Sequence, residues 1–383
     1  MIWLALKMLF GDRLKYFGLV AGMTFAATMI AQQASILMGF IHETGTFIRS
    51  VPNADLWVMD EQVRFSEDQV PMSQTALARV RSIEGVEWAV PMYKSWLPAR
   101  LPDGTRLNVI LVGVDDASLI GGPTRMVDGS LENLRRDGGI LINAKDAAKK
   151  LKQTRAGDSP LLVGDRISIN DHDAIVVGSF DSEPSFFWEP VAYTTYTRAL
   201  TFAPRMRNLL HLVLVKCKPG VSPQLVRDRI QQTTPYMART KDQFLRMTID
   251  FIVEKTGILV NFGLAIGLGL LVGMLVTGQT FFNFTLDNLR YFGALKALGT
   301  PGRTMIAMIF MQVLTVTLIS FGLGIGVASL VGIAIQNYDL AFQMPWQIPA
   351  FTLLTLLGIA FLAGCLSLYK VLRLEPGIVF RGA

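Results

Sequence analysis

TGILVNFGLAIGLGLLVGMLVTGQTFFNFTL, residues 256 to 286, contains no ionisable side chain, and its reading decides the fold class. A hydrocarbon core about 30 Å thick is crossed by roughly 20 helical residues, so the run can span a bilayer with room for tilt. Three more uncharged runs have the same character: Tyr16 to Ile41, Thr304 to Tyr338 and Leu340 to Tyr369. Only Asp339 divides the last two, and Pro345, Trp346 and Pro349 suit an interfacial turn followed by a helix start. Across 383 residues the chain is 51% apolar and 17% charged, whereas soluble domains average about 25% charged. It therefore reads as an integral membrane protein with four transmembrane helices.

The net charge of +6 is unevenly placed. Residues 42 to 255 carry 27 basic and 26 acidic side chains, while the two tails and one short loop carry nine basic and three acidic. Lys7, Arg13 and Lys15 precede the first run, Arg290, Lys296 and Arg303 separate the second from the third, and Lys370, Arg373 and Arg381 follow the fourth. A basic excess beside apolar spans marks the cytoplasmic side and argues against a nucleic-acid-binding face. Both termini and the 287–303 loop are accordingly expected in the cytoplasm and 42–255 outside. A cleaved signal peptide is the competing reading of the first run. Its length exceeds an apolar signal core of roughly 7 to 15 residues, which favours an anchor.

The outer segment predicts an α+β domain of two lobes. Asp55 to Met59, Val86 to Ala99, Leu107 to Val114 and Leu209 to Val215 read as strands. Gln74 to Ile83 and Pro223 to Gln232 read as helices, the latter with Pro at the favoured first position after Ser222. Gly138 to Asn143 and Leu161 to Phe180 add a strand-rich block, with turns at Gly164-Asp165 and at residues 170 to 173. An inserted lobe is placed at about 115–204, leaving 42–114 and 205–255 as the other.

Catalytic and metal chemistry find little support. The three histidines, His42, His172 and His211, are scattered, and Cys217 and Cys365 have no partner at ligand spacing. Asp171, His172 and Asp173 read as a polar hairpin tip, and no serine sits in a nucleophile-elbow pattern. Phe186, Phe187 and Trp188, bracketed by Pro184 and Pro190, are candidate contacts for an apolar cargo or a partner.

The spans carry no charge, which disfavours a proton-coupled carrier. Gln32, Gln33, Asn261, Gln279 and Asn283 are assigned interhelical hydrogen bonding. Gly263 with Gly267, Gly269 with Gly273, and Gly322 with Gly326 lie at spacings that permit close helix approach. Between the second and third spans, Leu289, Phe292, Leu295 and Leu298 recur at helical spacing ahead of Gly299 and Pro301. That pattern predicts a capped helix with apolar surface for a soluble partner.

Phe292-Gly-Ala-Leu-Lys-Ala-Leu-Gly299 resembles the coupling-helix motif of the MacB/FtsX-type permease family of ABC transporters, in particular free-standing DevC-like permeases. The ending Tyr369 to Arg381 and the segments Glu84 to Pro91 and Val163 to Ser168 are similar to family segments, as is the order of one span, a large outer domain and three spans. The resemblance implies a MacB-like periplasmic core with a porter-like lobe and an inserted lobe. It further implies a bacterial inner-membrane homodimer whose Leu289, Phe292, Leu295, Lys296, Leu298 and Gly299 couple to a separate ATPase subunit. ATP and Mg would be bound by that subunit, since no Gly-Lys dipeptide, and so no phosphate-binding loop of the Gly-Lys-Ser/Thr type, occurs in these residues. The implied activity is export by mechanotransmission with a periplasmic adaptor and an outer-membrane channel. The alternatives are a transmembrane regulator of an extracytoplasmic hydrolase and a lipid or lipoprotein extraction permease.

Overall fold

The computed structural model describes residues 2–153, 159–184, 187–203, 210–336 and 340–372. The chain begins with α1 (Ile2–Gly11), α2 (Arg13–Thr44) and α3 (Thr46–Ser50), then β1 (Leu56–Asp60) and α4 (Thr75–Arg81). Next come β2 (Val86–Arg100), β3 (Arg106–Val114), β4 (Met126–Asp128), β5 (Gly139–Asn143) and α5 (Ala144–Lys149). β6 (Arg166–Ile169), β7 (His172–Phe180), β8 (Val191–Thr195), α6 (Tyr196–Phe202), β9 (Leu212–Cys217) and α7 (Pro223–Thr233) follow. β10 (Tyr236–Thr240) and α8 (Lys241–Lys255) lead into α9 (Ile258–Asp287), α10 (Leu289–Ala297), α11 (Gly302–Gln336) and α12 (Gln347–Leu372). Two compact units result, Met1–Phe40 with Gly257–Ala383, and Ile41–Thr256.

In the first unit α2, α9, α11 and α12 are long and apolar enough to cross a membrane. The fourth helix starts at Gln347, not at 340, because the segment around Pro345 supplies the turn that precedes it. Small residues set the packing. Gly269 and Gly273 face Met29 and Ala26 of α2, and Gly324 faces Ala27, so a methyl group on Gly273 or Gly324 would collide with that helix. Gly263, Gly267, Gly322 and Gly326 meet open space instead. Among the described residues, polar fastening between the helices is seen at residues other than those singled out in the sequence. Ser320 Oγ donates to the carbonyl of Val20 at 3.2 Å, Thr28 Oγ1 to that of Gly324 at 3.3 Å, and Gln312 Nε2 to that of Ala5 at 2.8 Å. Asn261, Gln279 and Asn283 face outward from the unit.

The second unit is organised by β2, which belongs to two sheets. Its first half joins the four-stranded order β10-β1-β9-β2, antiparallel throughout. From Tyr93 onward it pairs with β3, and at Ala99 and Arg100 with β6. Because β6 also pairs β7, the sequence β2-β3-β8-β5-β7-β6 returns to β2 and closes a six-stranded ring. Closure leaves no open edge among those six strands, and β4 is added outside on β7. The second sheet thus begins at Tyr93, some twenty residues before the position 115 read from the sequence. Residues 89 to 95 are buried without a break across the change of partner, so nothing local marks it.

Leu97, Val109, Leu111, Ile140, Ile142, Ile167, Ile169 and Val176 form one core cluster of the ring's strands. One face of the four-stranded sheet is buried under α4 and α7 through Val80, Val226 and Ile230. The other contributes Trp57, Met59, Val90 and Met92 to a core shared with Ile48 of α3, Phe244 of α8 and Val112, Phe180 and Tyr193 of the ring. α8 begins with a reciprocal cap, Gln243 N donating to Thr240 Oγ1 and Thr240 N to Gln243 Oε1.

Candidate coupling surface

Asn288 ends α9 and starts α10. Its amide side chain donates to the Phe284 carbonyl at 2.8 Å, while its own carbonyl accepts from the backbone N–H groups of Tyr291 and Phe292. At the other end Gly299, at φ +88°, takes the left-handed conformation that glycine adopts at little cost. Gly299 N donates to the Lys296 carbonyl and Thr300 N to that of Leu295, the paired bonds of a Schellman stop. Pro301 then prevents continuation. α10 is a short helix fixed at both ends.

The apolar residues read from its sequence do not share one fate. Phe292 is 1% exposed and packs with Leu9 of α1 and Met305, Met308 and Ile309 of α11, so it anchors the helix and cannot be touched from outside. Leu289, Leu295 and Lys296 are half-buried. Leu298 is 84% exposed, as is Tyr291 to 63%, a residue the sequence reading passed over. Tyr291, Leu295 and Leu298 lie at i, i+4 and i+7, one face of a helix. That periodicity was available in the sequence, displaced by one residue from the buried stripe.

α1 provides the opposing wall. Ala5 and Leu9 are fully buried, and the bond from Gln312 secures the Ala5 carbonyl to α11. Lys7 Nζ lies 4.0 Å above the Trp3 ring on the exposed side. Leu4, Lys7, Met8 and Gly11 of this wall face Tyr291, Ala294, Leu295 and Leu298 across a groove of about 560 Å³. Asp12, Asp287 and Asn288 also line it. Lys15 Nζ bridges the two carboxylates, 2.8 Å from Asp12 and 2.5 Å from Asp287, joining the start of α2 to the end of α9. The Lys15 hydrogen bonds hold the Asp12 carboxyl below the usual carboxylate range.

In the second unit Phe187 is half-buried, its ring 5.1 Å from Trp96 and 6.5 Å from Phe65. Trp188 is 43% exposed and stands at φ +56°, an uncommon conformation for a bulky residue. Phe186 lies outside the described residues. Nearby, Lys94 forms a buried ion pair with Glu67, and its ammonium sits 3.7 Å above the Phe47 ring. Desolvation lowers the Lys94 pKa. Burial pushes His211 down to about 4, so it is neutral in the folded unit. Among the described residues no group of three or more His, Cys, Asp and Glu side chains could hold a metal ion.

Residues 17–233 match the family model of the MacB-like periplasmic core domain, and residues 263–376 match that of the FtsX-like permease C-terminal region. The macrolide export ATP-binding/permease protein MacB of Burkholderia thailandensis is 22% identical over 379 residues, which covers 94% of this chain and 56% of that protein. The chain thus spans a little over half the length of this relative. The crystal structure of the periplasmic region of MacB from Actinobacillus actinomycetemcomitans superposes with a TM-score of 0.38 at 11% identity, covering 54% of this chain and 96% of that one. The extracellular domain of the noncanonic ABC-type transporter YknZ from Gram-positive bacteria gives 0.36 at 12% identity, covering 49% and 100%.

Proposed function

Starting from a chain that belongs to the MacB-like and FtsX-like family of ABC transporter permeases, we propose that it is the permease subunit of an export system driven by a separate ATPase. The observation that carries the proposal is the construction of α10. Capped at both ends and pinned by buried Phe292, it presents Tyr291 and Leu298 beside a groove whose second wall is α1. A rigid short helix with exposed apolar knobs transmits a push; a floppy loop would absorb it.

The ATPase docks on this surface, with Leu298 and Tyr291 as its apolar contacts and Lys7 and Lys296 placed for acidic side chains of the partner. Force on α10 passes through Phe292 to α11 and through the Lys15 bridge to α2 and α9. The spans carry it to the 41–256 unit, which lies in the periplasm of a bacterial inner-membrane protein with cytoplasmic termini. ATP and Mg bind in the ATPase. Two permease copies work together, and a periplasmic adaptor and outer-membrane channel receive the cargo.

The test is co-purification of the tagged chain with a co-expressed ABC ATPase subunit, followed by ATP hydrolysis in reconstituted membranes. Leu298→Asp and Lys296→Glu should insert normally yet lose ATPase binding and permease-dependent hydrolysis. Full binding and hydrolysis in both variants would refute the docking surface. Recovery of a cell-wall hydrolase with no ATPase would favour the regulatory alternative.

A further inference from the structure

The end of the β2–β3 hairpin gathers positive charge without neutralising it. Arg100 and Arg106 are both exposed and stand directly opposite each other across the two strands. Leu101 N donates to the Thr105 carbonyl at 2.9 Å, so the arginines occupy the adjacent, non-hydrogen-bonded position, where cross-strand side chains stand closer. Like charges placed in this way repel. Asp103, the acid of the intervening loop, accepts from Thr105 N at 2.9 Å and from Thr105 Oγ1 at 2.8 Å. Among the described residues neither guanidinium forms an ion pair.

The surrounding strands make the pair part of a concave surface. Leu97, Ala99, Ile167 and Ile169 belong to the ring's core cluster, so alternation brings Arg100 of β2 and Ser168 of β6, which are opposite each other, to the outer face. Asn170 fixes one side, its backbone N donating to the Pro98 carbonyl and its Nδ2 to the Phe202 carbonyl, both at 2.7 Å. Pro98, Arg100, Arg106, Ser168, Asn170 and Asp171 line a depression of about 250 Å³. Asp171 pairs with neither arginine, and two cations against one carboxylate leave the lining at +1. Pockets that enclose a whole drug-sized ligand measure roughly 300–1,000 Å³, so this one suits a single charged group.

We propose that the depression binds a phosphate group, carried on a soluble phosphomonoester or on a phosphorylated lipid headgroup. Two guanidinium forks and the Ser168 hydroxyl offer more donors than the two oxygens of a carboxylate can take up. A phosphomonoester brings three free oxygens and a charge of about −1.5 to −2. Bound between the arginines, it replaces one repulsion with two attractions. The assignment lies wholly within the 41–256 unit and is independent of whether an ATPase docks on α10.

Isothermal titration calorimetry of the chain in phosphate-free dodecyl maltoside tests it, with glycerol 3-phosphate and dioctanoyl phosphatidic acid as probes. The parent should bind at least one of them. Arg100→Gln and Arg106→Gln should each weaken that binding by about tenfold or more, the loss of one charge-assisted partner. Arg79→Gln, which removes an exposed arginine of α4 outside the depression, should bind as the parent does. Binding of glycerol 3-phosphate assigns a soluble phosphate compound, and binding of the acylated probe alone assigns a headgroup. Without either probe both depression variants should melt no lower than the parent, because each removes a repulsion, so lost binding is separated from lost folding. No binding of either probe, or unchanged affinity in both variants, would overturn the proposal. Acetate bound as tightly as glycerol 3-phosphate would also overturn it and would indicate an acidic partner segment instead.

Discussion

Replacing Lys94 by Met removes the cation from a carboxylate that has little access to water. Lys94 and Glu67 side chains are 6% and 9% exposed, and Glu67 Oε2 has no hydrogen-bond partner among the described residues. Breaking such a pair from one side costs about 3–5 kcal/mol, because the remaining charge stays buried and unpaired. In a unit of this size each kcal/mol shifts the midpoint by about 2–4 °C, so Lys94→Met should lower the outer unit's melting temperature by roughly 6–20 °C. Glu67→Leu should do similar damage, since it strands the ammonium. The double variant should recover to within about 1 kcal/mol of the parent, because apolar side chains of like volume replace a buried pair at little net cost. Thermal unfolding of the full chain in detergent, followed by tryptophan emission at a fixed scan rate, measures all four. A double variant as unstable as either single would refute the reasoning, as would a Lys94→Met midpoint equal to the parent's. The result has a functional side. The Lys94 ammonium also rests on Phe47 of α3, the segment that follows membrane helix α2, and Lys241 Nζ ties the carbonyls of Arg49 in α3 and of Val51 just after it to the start of α8. On the proposed mechanism, loosening Lys94 should weaken transmission into the sheet as well as stability.

His211 makes the outer unit sensitive to acid. Its folded pKa of about 4 lies below the ordinary 6.5, so the unfolded chain binds the extra proton between those values. Stability is fully present above pH 6.5 and falls by about 3 kcal/mol as pH drops to 4; His211→Leu should flatten that part of the pH–melting profile. Phe292→Ala should destabilise the helical unit by about 3–5 kcal/mol, whereas Leu298→Asp should leave its melting within about 0.5 kcal/mol and act only on partner binding. In α11, Gly324→Leu should cost about 1–3 kcal/mol or more by forcing α2 away, while Gly322→Leu, which meets open space, should be tolerated, both read by detergent melting.

Much of the architecture was legible because it depends on composition and short-range pattern. Runs without charge specify spans whatever surrounds them, and Gly299 with Pro301 marks a helix end through backbone sterics alone. The cap of α8 was equally readable, since Thr240 and Gln243 stand at capping-box spacing, but the sequence reading assigned no helix there. β8 and β10 escaped as well. They are short, and their partners β3 and β1 are far away in sequence, so no local alternation announces them.

The division of labour within α10 shows where sequence stops. Its helical period, charge and stop signal follow from residue type and spacing, and those predicted a capped helix with apolar surface, while the coupling role was implied only by the family resemblance. Which apolar residue is an anchor and which is a contact depends on what packs behind the helix. Only the approach of Leu9 from α1 and Met305, Met308 and Ile309 from α11 makes Phe292 core and leaves Leu298 outside. The same holds for β2, whose residues dictate a long strand while the partners that split it between two sheets come from elsewhere in the chain. Residue chemistry and spacing determine an element; burial and pairing are properties of neighbours brought together by folding, and so belong to the tertiary structure.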